Sequence, residues 1–201
     1  MKKPVLVGCV VVALGALVLL GIFAAGAYNR LVGLEEQVDE AWSQVENVYQ
    51  RRSDLIPNLV ETVKGAAQFE QETFTAVAEA RARVGQISFD EAPSPEQLQE
   101  FQAAQGELGA ALSRLLLVVE RYPELRATEA FRDLQVQLEG TENRIAVERR
   151  RFNETAREFN TARRRFPTNL LAGMFGFDAK AYFEAEQGAE RAPRVDFSDE
   201  P

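Results

Sequence analysis

The sequence predicts an all-α protein in which an N-terminal transmembrane helix leads into an elongated antiparallel four-helix bundle. Residues 4–27 carry no charge, apolar residues then recur at spacings of three and four, and prolines or capping residues divide this pattern into helical lengths. The predicted organisation is a cytoplasmic N-terminus (1–3), a transmembrane helix (4–28), a bundle (29–166), an aromatic C-terminal segment (167–185) and a disordered acidic tail (186–201).

The uncharged run is long enough to span a bilayer, since about 20 apolar residues suffice at 1.5 Å per residue. Lys2 and Lys3 precede the run, whereas Arg30 is the only base between the run and the acids at positions 35–40. The positive-inside tendency therefore predicts a single-pass protein of the bacterial inner (cytoplasmic) membrane with its bundle on the exported side.

Two processing signals compete with a retained anchor. Residues 25–27 (AGA) resemble a signal-peptidase site, but the apolar run before them is longer than the roughly 7–15 residues of a cleaved signal. Residues 6–9 (LVGC) resemble a lipoprotein processing box, but too few apolar residues precede Cys9. We therefore expect a retained helix, with Cys9 as an apolar side chain in lipid.

Composition excludes several classes of site. The chain has no histidine and a single cysteine, so triads of the Ser-His-Asp or Cys-His type and internal disulfides are absent. A net charge of −8 argues against nucleic acid as a partner. No Gly-rich phosphate loop or metal-ligand spacing occurs, and we expect neither an enzyme nor a cofactor or metal.

The first apolar seam begins directly after the predicted span and is interrupted only by Arg52. Trp42 lies beside this seam and is expected to pack in the core. The members of this first seam are Leu31, Leu34, Val38, Ala41, Val45, Val48, Leu55 and Leu59, followed by Val63, Ala66, Phe74, Val77 and Val84.

Pro57 decides whether this region is one helix or two. A proline deep inside a helix costs about 3 kcal/mol, whereas one in the first turn removes no hydrogen bond. With Asp54 as an N-cap, Pro57 falls in the first turn, and four helices of similar length result. The unbroken heptad pattern supports a kinked continuous rod instead; we favour the break at Asp54.

Two later helices have clear ends. Ser94, Pro95 and Gln97 form a capping-box signal, and Pro123 ends the seam that follows. Thr128 is expected to cap the last long helix, which Pro167 ends. The two seams comprise Leu98, Phe101, Leu108, Leu112, Leu115, Val119 and Tyr122, and then Phe131, Leu134, Leu138, Thr141, Ile145, Phe152, Phe159 and Phe166.

A basic and aromatic segment follows the last helix. With four antiparallel helices it returns to the bilayer, and basic residues beside aromatic ones are typical of an interfacial membrane contact. The alternative is that the arginines complement the helix dipole and the aromatic rings pack under the bundle end. The candidate contact residues are Arg163, Arg164, Arg165, Phe175 and Phe177.

Residues 41–46 (AWSQVE) and 51–65 (RRSDLIPNLVETVKG) resemble the signature of the LemA family of bacterial membrane proteins. Residues 119–125 (VERYPEL), 141–145 (TENRI), 152–153 (FN) and 159–160 (FN) are similar in order and spacing. The resemblance implies a single-pass anchor and an antiparallel helical bundle, and it brings no catalytic residues. Ser53 replaces a usual aromatic residue, and residues 67–70 (AQFE) lack a histidine common before the glutamate.

Charged and amide side chains on or beside the seams predict a cross-helix polar network that fixes the packing of the bundle, because buried charges need partners. Its candidate members are Arg52, Asp54, Glu61, Glu142, Asn143 and Arg144. Solvated pairs of little energetic value are the alternative. A Ca²⁺ or Mg²⁺ site on the carboxylates is disfavoured, since neighbouring arginines compete for them.

These observations favour a noncatalytic, membrane-anchored scaffold or interaction protein. Alternatives are a lipid-binding or membrane-shaping role of segment 163–183 and, less favoured, an ion-dependent or enzymatic role of the carboxylates. Expected partners are membrane lipid through the N-terminal helix, unidentified proteins and further copies of the chain, since small residues let membrane helices approach closely. These residues are Gly15, Ala16, Gly21, Ala24, Ala25 and Gly26.

Overall fold

A computed structural model describes residues 3–65, 70–89 and 91–184 of the chain. Six helices and no strand occur within these ranges, which confirms the all-α class. The seam residue Ala66, most of the AQFE segment and the acidic tail 186–201 lie outside the described residues. The helices are α1 (Lys3–Lys64), α2 (Gln71–Val84), α3 (Pro95–Glu120), α4 (Pro123–Arg126), α5 (Glu129–Arg164) and α6 (Thr168–Phe175).

Helix α1 continues from the apolar run to the far end of the bundle, and the predicted break at Asp54 is wrong. Asp54 lies inside the helix, where its Oδ1 accepts a hydrogen bond of 2.8 Å from Gln50 Nε2. The helix ends at Lys64, and Gly65 begins the turn to α2. Its 62 residues correspond to a rod of about 93 Å.

The hydrogen bond that Pro57 cannot make is supplied from another helix. In a regular helix the N–H of residue 57 would donate to the carbonyl oxygen of Ser53, but proline has no N–H. Arg81 of α2 donates to that same oxygen through Nε at 3.0 Å. Because this carbonyl is satisfied, part of the cost of an interior proline is removed and the helix continues.

Among the described residues, α1 alone is long and apolar enough to cross a membrane, with a mean hydropathy of 2.3 in its most apolar window. The side chains of that window are not buried against the rest of the chain. Length and apolar composition therefore agree with the predicted span.

The chain turns back after α1 and runs up and down the bundle. The loop after α2 returns toward the middle of α1, where the Ala92 N–H donates to Asp39 Oδ1 at 2.9 Å. Helix α3 then runs outward, and α5 returns antiparallel along α1, with which it has its most extensive contact. The antiparallel bundle is confirmed, with the boundary between its first two helices moved from Asp54 to Gly65.

The predicted helix starts at Ser94 and Thr128 are confirmed. The Ser94 N–H donates to Gln97 Oε1 at 2.8 Å, and the Gln97 N–H donates to Ser94 Oγ at 3.3 Å, which completes the capping box. Thr128 Oγ1 accepts from the Phe131 N–H at 3.3 Å. These caps satisfy N–H groups that lack intrahelical partners.

Buried apolar residues form two clusters along the bundle. The first, the base cluster, surrounds Trp42 and lies toward the apolar run. The second, the tip cluster, includes Ile56 and Leu115 and lies toward the far end. Buried polar side chains, chiefly Arg52 and Gln105, lie between the two clusters.

The end of the chain returns to the base of the bundle. The ring of Tyr28, one residue beyond the uncharged run, lies 5.0 Å from Phe175 and 5.6 Å from Phe177 between centroids. Lys180 Nζ forms an ion pair of 2.7 Å with Glu35 Oε1 of α1. The basic and aromatic segment therefore lies at the same end of the bundle as the apolar run.

The contact between Arg81 and Ser53 can be tested with a double-mutant cycle. Arg81→Met leaves a part-buried carbonyl unpaired, so we expect the free energy of unfolding to fall by about 1–3 kcal/mol. In a Pro57→Ala background the new N–H pairs with Ser53, and the loss should shrink by about 1 kcal/mol. Urea unfolding followed by circular dichroism measures both values.

Arg83→Met is the matched control, since the exposed Arg83 side chain forms an exposed ion pair with Glu107. Its loss should stay within about 1 kcal/mol in both backgrounds. Equal losses for Arg81→Met with and without Pro57 would contradict the assigned role.

Candidate functional site

Arg52 joins three helices at the middle of the bundle. Its side chain is buried, and Nη1 donates to Glu142 Oε1 of α5 at 2.7 Å while Nη2 donates to Gln105 Oε1 of α3. The guanidinium carbon also lies 5.1 Å from the ring centroid of Tyr49. These contacts form a polar layer that separates the two apolar clusters.

The polar layer retains unused hydrogen-bond donors. Arg52 Nε and Gln105 Nε2 are buried and have no acceptor in the described part of the chain. Burying such donors costs free energy, which a carbonyl or carboxylate oxygen placed beside them would recover. The polar layer therefore retains part of the free-energy cost of burying its polar groups.

Only part of the predicted network meets in space. Arg52 and Glu142 are paired, whereas Glu61 pairs with Lys64 on the same exposed helix surface at 2.8 Å. Asp54 has its Gln50 partner, and Asn143 and Arg144 are exposed on α5 without joining Arg52. The carboxylates of Asp54, Glu61 and Glu142 thus have separate partners.

Sequence reasoning missed Gln105, although a signal for it exists. Gln105 occupies the seam position between Phe101 and Leu108, where spacings of four and three predict a buried residue. A polar side chain at such a position needs a partner. The interruption by Arg52 in α1 and the one by Gln105 in α3 are the two halves of one contact.

A groove of about 1000 Å³ lies between α3 and α5, above this polar layer. One wall is formed by small residues of α3, including Gly106 and Gly109, and a Cβ atom built at either glycine meets nothing within 4 Å. Leu112, Leu138 and Ile145 add apolar side chains to the lining, together with polar and charged ones such as Gln135 and Glu139. Small residues beside apolar ones let another helix approach closely.

Tyr49 lies at the floor of the groove. Burial raises the pKa of its hydroxyl above the usual value of 10.0, and the nearby Arg149 and Arg52 guanidinium groups oppose this rise. The phenol is therefore neutral near neutral pH. The charged groups near it are Arg52, Arg149 and Glu142.

The described residues contain no group of three or more His, Cys, Asp or Glu side chains that could hold a metal ion. Arg52 occupies one oxygen of Glu142, so this carboxylate takes part in an ion pair that links two helices.

Two asparagines of α5 hold the C-terminal segment against the bundle. Asn153 donates from Nδ2 to the Phe183 carbonyl at 2.9 Å and accepts from the Phe183 N–H at 2.8 Å. Asn160 makes the same pair of bonds with Lys180, at 2.8 and 3.0 Å. The two helical turns from Asn153 to Asn160 and the three extended residues from Lys180 to Phe183 both span about 10 Å. Each asparagine therefore lies opposite its backbone partner. We call residues 177–184 the strap.

The predicted membrane-contact residues are not equivalent. Phe177 is buried, and Arg163 Nε donates to its carbonyl oxygen at 2.5 Å. Phe175, Arg164 and Arg165 are exposed. The structure therefore corrects the assignment of Phe177, whose ring packs against Tyr28 and Phe159 within the base.

Removing Arg52 tests the polar layer. Arg52→Ala leaves the Gln105 amide buried without its partner and opens a cavity, and we expect the free energy of unfolding to fall by about 2–4 kcal/mol. The half-exposed Glu142 can be hydrated and adds little. Lys64→Ala, which breaks an exposed pair, should cost at most about 1 kcal/mol in the same urea titration. Similar losses for both variants would rule out a structural role of the layer.

Tyr49 predicts a loss of stability in alkali. Because the folded pKa is raised, the contribution is fully present below pH 10.0, the unfolded value, and is lost as pH rises through the folded pKa. Above pH 10 the free energy of unfolding should fall more steeply with pH in wild type than in Tyr49→Phe. Identical slopes would refute burial of a neutral phenol.

Comparison with known proteins adds evidence independent of this geometry. The magnetosome protein MamQ 1 of Paramagnetospirillum magneticum is 27% identical over 182 residues, covering 81% of this chain and 66% of the relative. The MamQ of Magnetospirillum gryphiswaldense is 26% identical over 185 residues with the same coverage. The protein LemA of Metamycoplasma hominis is 23% identical over 171 residues, covering 84% of this chain and 75% of the relative.

The chain thus spans 66% of the length of the MamQ relatives, slightly less than two thirds. A sequence profile described as the LemA family matches residues 41–197, from within α1 to beyond the strap. Since this match covers most of the sequence, the chain belongs to the LemA family.

Proposed function

We propose that this protein is a membrane-anchored, noncatalytic helical scaffold that assembles with further copies of itself. The observation that carries the proposal is the continuity of α1, which is one helix from the apolar run into the core of the bundle. Because the helix that enters the bilayer also forms part of the bundle core, the bundle is held at a fixed distance from the bilayer surface. Such rigidity suits a support for other molecules.

A noncatalytic role is supported by the chemistry of the chain. The sequence contains no histidine, and Asp54, Glu61 and Glu142 have separate partners instead of facing a common substrate. None of the names of the relatives states a reaction. The flanking charges support an inner-membrane anchor with the bundle exported.

Self-assembly would use the groove between α3 and α5. Copies anchored by α1 stand side by side in the same orientation, so matching surfaces meet only at equal height. The groove spans positions 135–149 of α5, and on the outer side of the same stretch Val136 and Val147 are exposed. Three helical turns separate these valines, and with Gly140 and the exposed Asn143 between them they form a narrow ridge.

Neither valine of the ridge lines the groove, so the interface that we propose is heterologous. The ridge of one copy enters the groove of the next, whose small residues on α3 allow close approach. Each copy then presents an unused ridge and an unused groove, and repetition yields a ring or an open row in the membrane.

Filling the groove tests this assignment. Gly109→Leu adds a side chain where a Cβ meets nothing within 4 Å, and it replaces a helical glycine, so the fold should be preserved. We expect full-length protein in mild detergent to exceed the mass of a monomer by light scattering, and the variant to fall to that of a monomer.

Gly33→Leu is the matched control, since this exposed helical glycine also has open space at its Cβ and lies outside the groove. It should retain the mass of wild type. A monomeric wild type, or an unchanged mass for Gly109→Leu, would overturn assembly through the groove.

A further inference from the structure

Helix α6 presents its apolar side away from the bundle. Ala172 of this helix is buried against the bundle, whereas Leu170 is 60% exposed, Met174 77% and Phe175 53%. Phe166, in the turn just before the helix, is 80% exposed. Leu170 and Met174 are four residues apart in α6 and share a face. Helices on a soluble surface turn their apolar face inward, so the outward face of α6 requires a nonaqueous neighbour.

The position of α6 identifies that neighbour. Phe175 contacts Tyr28, and Tyr28 lies between the uncharged run and the first charge after it, Arg30. With α1 in a bilayer, this level is the boundary between hydrocarbon and headgroups, where aromatic side chains concentrate. The apolar face of α6 therefore lies beside the surface that α1 enters.

Basic side chains adjoin the apolar face. A pocket of about 300 Å³ between the end of α5 and α6 is lined by Arg163, Arg164 and Asn169. Residues 163–183 contain three arginines and one lysine against a single acid, Asp178, although the whole chain carries a net charge of −8. Positive charge is thus concentrated where lipid phosphate groups would lie.

We propose that α6 lies in the membrane surface as a second contact with lipid. Phe166, Leu170, Met174 and Phe175 enter the boundary of the acyl chains, and Arg164 and Arg165 bind headgroup phosphates. The strap holds α6 to the bundle through Asn153 and Asn160, so this contact fixes the tilt of the bundle. The inference rests on the proposed anchoring by α1, and it deepens that role.

Nitroxide labels on the full-length chain in phospholipid nanodiscs test this contact. Single cysteines are introduced as Met174→Cys, Leu19→Cys or Leu117→Cys in a Cys9→Ala background, and spin relaxation by oxygen is compared with that by a water-soluble nickel complex. Leu19 lies in the apolar run, and the exposed Leu117 lies on α3 near the far end.

We expect the ratio of oxygen to nickel accessibility at position 174 to be several-fold higher than at position 117 and to approach that at position 19. A label at 174 as open to nickel as that at 117 would overturn the lipid contact while leaving the anchor intact. Shielding of 174 from both relaxants would mean that protein covers α6, and would also overturn it. A label at position 19 that is accessible to nickel would also refute the proposal that α1 anchors the protein in the membrane.

Discussion

The bundle depends above all on the burial of Trp42, because this one side chain of α1 contacts α3, α5, the loop after α2 and the strap. Its ring lies 5.3 Å from Phe101 of α3, 5.7 Å from Phe152 of α5 and 6.0 Å from Phe89 in the loop after α2. Phe183 of the strap stacks on it at 6.2 Å. Aromatic burial supplies large apolar area with defined geometry, so α1 becomes the axis to which the other segments are fitted.

Beyond this cluster the core changes character at Arg52. An apolar residue there would avoid the cost of burying a guanidinium group, and such replacements are often neutral or stabilising in other proteins. The arrangement nevertheless links Arg52 to Gln105 and Glu142, which lie on two different helices. We interpret the polar layer as fixing how far α3 and α5 are displaced along α1, since an axial shift of either helix would separate these groups.

Features that depend on local spacing could be predicted from the sequence, and features that depend on a distant partner could not. The seams, the caps at Ser94 and Thr128 and the apolar run follow from periodicity and side-chain chemistry. Continuity through Pro57 is supported by Arg81, which lies 28 residues away from Ser53. Asn153 and Asn160 belong to the repeated Phe-Asn pairs that mark the family resemblance, but their role appears only when the strap lies beside them.

The length of α1 has a consequence for which molecules can meet this protein. Between Tyr28 and Lys64 the helix rises about 55 Å, so the end of α1 at Lys64 lies far from the apolar run. Both Tyr28 and the strap lie at the opposite end. With the apolar run in a bilayer, a small membrane protein beside it would meet the base of the bundle, and the tip would be left to taller neighbours and soluble molecules.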